Sequence, residues 1–576
     1  MLDSRGRFLG CVLAKAGRFW QTKMLFMRIG NLFSVTVLAA LACACLPFKA
    51  DALGSGDGIA IQYYFAGAAS LAENTNFHEA KAFLTTPPAR RFRDFVLDRL
   101  AGVYWKGLQF DPGANPTNVL RPLLDQLLQA ESVGSFGGRD PSRMDFVLAA
   151  RLDEKSAAAW AKNLEIALRG QGEPLTEEGF SGHRWNRDGN HSFWILRARD
   201  WTVVGRGEDL QPIRADYLQN IKQDNRPATA MKDSWLSASV DWPLLATWVP
   251  LSHCPFKLGR TIVDVTAGNE RMRATAYVSY PEEVAWEGGP WRVPKGLVSN
   301  PLSSFTVARN VAPYLNSNEA LSRLSSDPLA SQLYCWGLRT SVPLQSYAAW
   351  PVTDPTNVLR KLGTEAPAAL NPILGPCDHT QLDWVPKLNQ LAWVRLPLTG
   401  PILEPAHDQG GDFLLAKLFP VEEQTVPPSE QLWSQFEGRE DLVYYDWELT
   451  GLRLQQWRLL SELLPVWPSV PPEPVPAKKP GQNAKPASPP AKPLPASVVI
   501  TDIWLSSLVL PPANTVTEVT RSSPTELTVV RNSQFLFTGV EWVLLSHWLA
   551  DSPVAPVDFN LLPRPKMSGP GLRPSH

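Results

Sequence analysis

DFVLAARLDEKSAAAWAKNLE, residues 145–165, reads as a short apolar strand, a turn and an amphipathic helix. Asp153 sits where the helix would begin, and a carboxylate there can accept the free N–H groups of the first turn. The same grammar recurs at 59–75 (IAIQYYFAGAASLAENT), 235–249 (WLSASVDWPLLATWV) and 303–316 (SSFTVARNVAPYLN). Two further copies lie at 343–363 (PLQSYAAWPVTDPTNVLRKLG) and 441–464 (DLVYYDWELTGLRLQQWRLLSELL). In the former, Asp354 precedes Pro355, which places proline at the first helical position, where its missing donor does no harm.

Hairpins are the second unit. Residues 193–205, FWILRARDWTVVG, give two β-rich runs about a polar turn at Arg199-Asp200. A helix is expected over Glu208 to Ile221, with Leu210, Ile213, Tyr217 and Ile221 on one face. Residues 527–539, LTVVRNSQFLFTG, align with the first hairpin without a gap, so that Arg197 meets Arg531, Trp201 meets Phe535 and Gly205 meets Gly539. A helix over Val540 to Leu549 follows. These matches predict a duplicated module, 145–222 and 441–551. The hexapeptide PTNVLR occurs at 116–121 and 355–360, but at different distances from the matched modules, and reads as a recurring helix start. Another hairpin, 260–281, turns at Gly268-Asn269.

Strand pairs joined by tight turns imply antiparallel pairing. The expected fold is therefore α+β: repeated strand-turn-helix and hairpin-helix units forming antiparallel sheets, covered on one face by helices, in two related halves. The Gly-, Pro- and Trp-rich run 282–302 marks the boundary, giving halves at 53–290 and 291–551. The second half carries a Pro/Ala/Lys-rich insertion at 465–497. Its segment 465–495 holds twelve prolines and four lysines (Lys478, Lys479, Lys485 and Lys492) and too few apolar side chains to offset the entropy of ordering. The tail 552–576 reads the same way.

The N-terminus supplies an address. Residues 1–28 hold six basic residues against one acid, Asp3, and Ile29 to Phe48 carry no charge. Ala50-Asp51-Ala52 follows as a small-x-small exit, so 1–52 reads as a cleaved secretory signal. Two other readings stand beside it: an uncleaved anchor, since about 20 apolar residues span a bilayer core, and lipid attachment at Cys43 or Cys45. Met24 and Met27 are alternative starts. Export to the periplasm or exterior is the first expectation, and anchoring through this segment the alternative, with membrane contact confined to it.

Bulk properties narrow the rest. The 576 residues are 44% hydrophobic and 19% charged, with a formal net charge of −1, so no basic footprint for nucleic acid exists. Past the signal only Cys254, Cys335 and Cys377 remain, too few for a disulfide framework.

Searches for chemistry return little. There is no phosphate-cradling G-x-x-x-x-G-K-[ST], no G-x-S-x-G elbow and no H-E-x-x-H; GSGDG at 54–58 precedes a strand and reads as a flexible start. Cys377-Asp378-His379 with His253-Cys254 could supply four zinc ligands, but neither has the two-residue gap of a structural site, so no metal or cofactor is expected. The acidic pairs Glu177-Glu178, Glu282-Glu283 and Glu422-Glu423, and Glu437 with Glu440 and Asp441, read as solvated surface, because neighbours on a strand point apart. Trp194, Trp201, Tyr444, Tyr445, Trp447, Trp542 and Trp548 read as core, whereas Trp286, Trp291 and Trp467 are the aromatics expected to be exposed. No catalytic, cofactor or metal residue is assigned.

The phrases DFVLAARLDEKSAAAWAKNLE, FWILRARDWTVVG, LVYYDWELTGLRLQQW and TELTVVRNSQFLFTGVEWVLLSHWL together resemble large exported proteins of Verrucomicrobia-type bacteria. The resemblance covers most of 58–551 and implies an envelope α+β protein; it transfers no site residues. The expectation for function is a non-enzymatic binding or scaffold module, with an envelope polymer or protein partner reached through the proline-rich insertion. The alternative is a secreted, glycan-directed hydrolase using carboxylates across the cleft between halves.

Overall fold

The computed structural model describes residues 58–73, 85–108, 110–138, 145–187, 191–227, 234–248, 259–268, 271–284, 286–311, 331–340, 345–374, 381–394, 402–418, 426–463, 496–508 and 513–551. The expectations for 1–52, the insertion 465–495, the tail, Trp467, Glu422-Glu423 and both Cys/His pairs lie outside the described residues. Ala496 and Ser497, placed in the insertion above, belong instead to a helix.

The strands are β1 (Ile59–Phe65), β2 (Ser132–Gly137), β3 (Asp145–Arg151), β4 (Glu173–Glu177), β5 (Phe180–Arg187), β6 (His191–Ala198), β7 (Trp201–Arg206), β8 (Ser234–Asp241), β9 (Arg260–Gly268) and β10 (Arg271–Ser279). After the central connection come β11 (Leu302–Ala308), β12 (Leu333–Leu338), β13 (Ser346–Pro351), β14 (Gln381–Val385), β15 (Gln390–Val394), β16 (Ile402–Asp408), β17 (Gly411–Leu418), β18 (Leu442–Leu449), β19 (Asn514–Ser523) and β20 (Glu526–Ser533). The helices are α1 (Ala68–Glu73), α2 (Pro87–Gly107), α3 (Pro116–Val119), α4 (Arg121–Gln129), α5 (Glu154–Leu168) and α6 (Gln211–Asp224). They continue as α7 (Trp242–Trp248), α8 (Pro355–Leu374), α9 (Glu430–Trp433), α10 (Thr450–Leu463), α11 (Ala496–Ser507) and α12 (Gly539–Asp551).

Every strand pair is antiparallel, and the pairs link into one ladder, so the fold is α+β as expected. Its first ten strands run 4-5-6-7-3-2-1-8-9-10. The other ten, read from the opposite edge, run 14-15-16-17-13-12-11-18-19-20. Subtracting ten from each number in the second run reproduces the first. The runs meet at β10 and β20, where Thr275 lies opposite Val530.

Local chemistry sets the elements where the sequence placed them. Asp153 caps α5 by accepting the Ser156 N–H at 2.7 Å, and Asp354 accepts the Asn357 N–H at 2.9 Å ahead of α8. The two PTNVLR copies do start helices, but α3 lies between β1 and β2 while α8 follows β13. In the β6–β7 hairpin, Arg199 takes the left-handed φ of 53° that a tight turn demands.

Three expectations change. The 145–222 and 441–551 segments are not equivalent: the first contributes five strands, β3 to β7, and the second only β18-β19-β20. Residues 527–539 are no hairpin. The second apolar run, Phe535-Leu536-Phe537, is a turn with Leu536 at φ 65° that feeds α12, because the Ser533 hydroxyl accepts the Phe535 N–H at 3.1 Å. Finally, helices lie against both faces. Trp160 of α5 packs with Phe193, Ile195 and Val204, whereas Tyr217, Leu218 and Ile221 of α6 pack with Trp194, Leu196, Trp201 and Val203. Adjacent strand residues face opposite ways, so these are two sides of one sheet.

The connection between β10 and β11 is seated rather than loose. Arg309, 1% exposed, places its guanidinium 5.5 Å from the Trp286 ring and 4.0 Å from that of Trp291. It also donates to the Gly289 and Glu440 carbonyls at 3.1 and 3.3 Å. Both tryptophans are half-buried as a result, not free surface.

Candidate functional site: a buried polar row

Strand β18 carries Asp446 and Glu448 two residues apart, so both project from the same face. Glu448 is 5% exposed there and Asp446 half-buried. Cross-strand pairing sets Thr306 and Ser304 of β11 beside them on one side, and Thr517 and Thr515 of β19 on the other. Arg531 of β20 continues the row opposite Thr517, and the Ser533 hydroxyl lies 2.8 Å from that of Thr515. Helices α10 and α12 close over it, bringing Arg453 and Glu541.

The hydrogen bonds are specific. Thr306 Oγ1 lies 2.6 Å from Asp446 Oδ1, and Glu448 Oε1 accepts the Gly539 N–H at 2.7 Å. Arg531 grips Glu541 with two parallel bonds of 2.8 and 3.0 Å, their side chains 1% and 3% exposed. Its Nε donates to Thr517 Oγ1 at 2.9 Å. Glu541 also accepts the Thr538 N–H at 2.7 Å while Thr538 Oγ1 accepts the Glu541 N–H at 3.4 Å, a reciprocal box that starts α12. Arg453 donates to Gln456 at 2.7 Å, and its Nε has no partner. Gly337 makes room beneath it: a Cβ there would stand 3.2 Å from Arg453 Nη1 and 3.0 Å from Ser304 Oγ.

Electrostatics follow from that burial. Loss of water, then the neighbouring Asp446 charge, push the Glu448 carboxyl up to about 8, against the pull of Arg453 and the Gly539 N–H. Desolvation likewise raises Asp446, although the Thr306 hydroxyl and Arg531 oppose it. Arg453 is lowered by the same burial, with Glu448 and Asp446 opposing. Arg531 and Glu541 cancel, and Arg453 offsets one carboxylate. Two carboxyls thus face one unpaired guanidinium, and burial opposes ionising both of them.

The first ten strands offer a comparison at the same ladder positions. Where the second run has Ser304, Thr306, Asp446, Glu448, Thr515, Thr517, Arg531 and Ser533, the first has Ile61, Tyr63, Ala238, Val240, Thr261, Val263, Ala276 and Val278. Seven of these eight are Ile, Tyr, Ala or Val, so the ladder itself does not require the polar set.

The acidic groups singled out in the sequence are elsewhere. Glu177 pairs with Arg214 at 3.0 Å, Glu437 with Lys295 at 3.0 Å, and Glu282 and Glu283 are exposed. Carboxylates nearer the solvent are pulled the opposite way: the Ser156 N–H lowers exposed Asp153, and the Gly113 N–H lowers half-buried Asp111. Among the described residues, no group of three or more His, Cys, Asp or Glu side chains could hold a metal, and no helix is long and apolar enough to cross a membrane. The sequence of 441–464 shows a strand and a helix, but not a role for Asp446 and Glu448. The available signal was two acids on alternate positions of an otherwise aromatic strand, with T-G-V-E at 538–541 as the box.

No family model and no curated protein matches this chain. A solved structure, "Structure of crystal form I of TP0453", aligns at 12% identity with a TM-score of 0.21, covering 40% of this chain and 79% of that one. A likeness that slight carries no argument.

Proposed function

We propose that the protein is an exported, non-enzymatic binding or scaffold module assembled from two related ten-strand halves. The observation that carries this reading is the ladder, whose two runs repeat one strand order and meet at Thr275–Val530. Twenty strands at about 4.8 Å spacing give a platform of roughly 90 Å measured along the ladder. Its two edges are blunted: β4 contains Pro174, and both the N–H and the carbonyl of Leu382 in β14 are engaged by the Asn371 side chain at 2.9 Å. A sheet ended in this way presents faces and loops to partners rather than templating further strands.

Export rests on the basic, apolar and small-residue pattern of 1–52, and the proline-rich insertion is the segment with reach toward an envelope polymer or protein. The glycan-hydrolase alternative needs two carboxylates from different halves in an open cleft. It draws no support from Asp446 and Glu448, which share one strand and lie under α10 and α12. Cell fractionation with mass measurement of the mature N-terminus tests the export part. A periplasmic or secreted chain beginning after Ala52 agrees with it, and a cytosolic full-length chain refutes it.

A further inference from the structure

We propose that the Asp446–Glu448 pair is a proton-operated latch for the helices α10 and α12: with one shared proton the helices are seated on the sheet, and loss of that proton releases them. Three features of the structure support it. Glu448 and Arg453 are 5% and 2% exposed and Asp446 is half-buried where the sheet meets two helices, and the two carboxyls outnumber the one cation, Arg453, left over after Arg531 and Glu541 pair. Glu448 holds the first turn of α12 directly through the Gly539 N–H, and Arg453 comes from the first turn of α10. The counterpart positions in the first run are Ala238 and Val240, where no such group exists and the sheet forms equally well.

The charged or titratable groups around the pair are Arg453 from α10, Glu541 from α12, Arg531 from β20 and the Tyr444 phenol from β18 itself. When the shared proton leaves, the region holds three carboxylates against two guanidinium groups. The surplus charge falls on Glu448, 5% exposed, and a half-buried Asp446, and the cheapest route to fuller hydration is to lift the two helices that cover them. Upward shifts of both carboxyls place this transition on the alkaline side of neutrality.

Hydrogen exchange read by mass spectrometry, on the full chain at pH 6.5 and pH 9 and corrected for intrinsic rates, tests the latch. The expected result is a loss of protection of tenfold or more in 450–463 and 539–551, with α6 (211–224), which packs on the opposite face of the first run, unchanged. Glu448→Gln, or Asp446→Asn should that variant fold poorly, should abolish the loss. Equal protection at both pH values in the wild-type chain overturns the proposal. So does a loss shared by α6, which would mark general unfolding, or a loss that persists in the folded variant.

Discussion

Replacing Glu448 with glutamine should make the protein more stable at alkaline pH while leaving it nearly unchanged in acid. The amide keeps the shape and can still accept the Gly539 N–H, but it never ionises. The glutamate carboxyl moves from an ordinary value near 4.5 in the unfolded chain to about 8 in the folded one. A group raised in this direction favours folding while protonated, and that advantage drains away as pH rises from about 4.5 to about 8. Between those limits the folded state binds about one more proton than the unfolded state, so stability falls by about 1.4 kcal/mol per pH unit. The full span of about 3.5 units amounts to roughly 5 kcal/mol, a figure that already contains the attraction to Arg453. Urea unfolding of both proteins at pH 5, 7 and 9 measures it. The difference, variant minus wild type, should be smallest at pH 5 and grow to several kcal/mol at pH 9. A difference that stays flat across that range would rule out a raised Glu448 carboxyl.

Other perturbations have defined outcomes. Glu541→Gln keeps an acceptor for the Thr538 N–H but leaves Arg531 buried without its charge partner, and should cost about 3–5 kcal/mol in chemical denaturation. Arg309→Ala removes the cation between Trp286 and Trp291 and its two carbonyl bonds; a loss of about 2 kcal/mol or more should appear together with faster proteolysis within 286–300. Replacing residues 465–495 with a short Gly/Ser linker should leave the unfolding midpoint within about 0.5 kcal/mol of wild type, because loop closure depends only weakly on length. The helices on either side, α10 and α11, pack together through Leu454, Trp457, Trp504 and Leu505.

The strand-turn-helix units were legible because each is set by neighbours in sequence: an apolar run, a capping Asp153 or Asp354, a periodic helix face. The hairpins at 193–205 and 260–281 were legible for the same reason. The pairing of distant strands was not. The run Phe535-Leu536-Phe537 has strand composition, and only the Ser533 hydroxyl and the start of α12 turn it into a bend. That error shifted the internal match onto 441–551, whereas the ladder sets 145–151 against 346–351. The polar row escaped notice because its members come from β11, β18, β19, β20 and two helices, and only tertiary pairing brings Thr306, Asp446, Thr517 and Arg531 side by side.

The two ten-strand runs join as one sheet through β10 and β20, with Thr275 opposite Val530. In a background with the native cysteines replaced by alanine, the pair Thr275→Cys and Val530→Cys tests this junction by disulfide formation under mild oxidation. This pair should cross-link nearly completely, while Thr275→Cys with Asn532→Cys, displaced by two residues, should do so poorly. Efficient cross-linking of the displaced pair, or none in either, would contradict it.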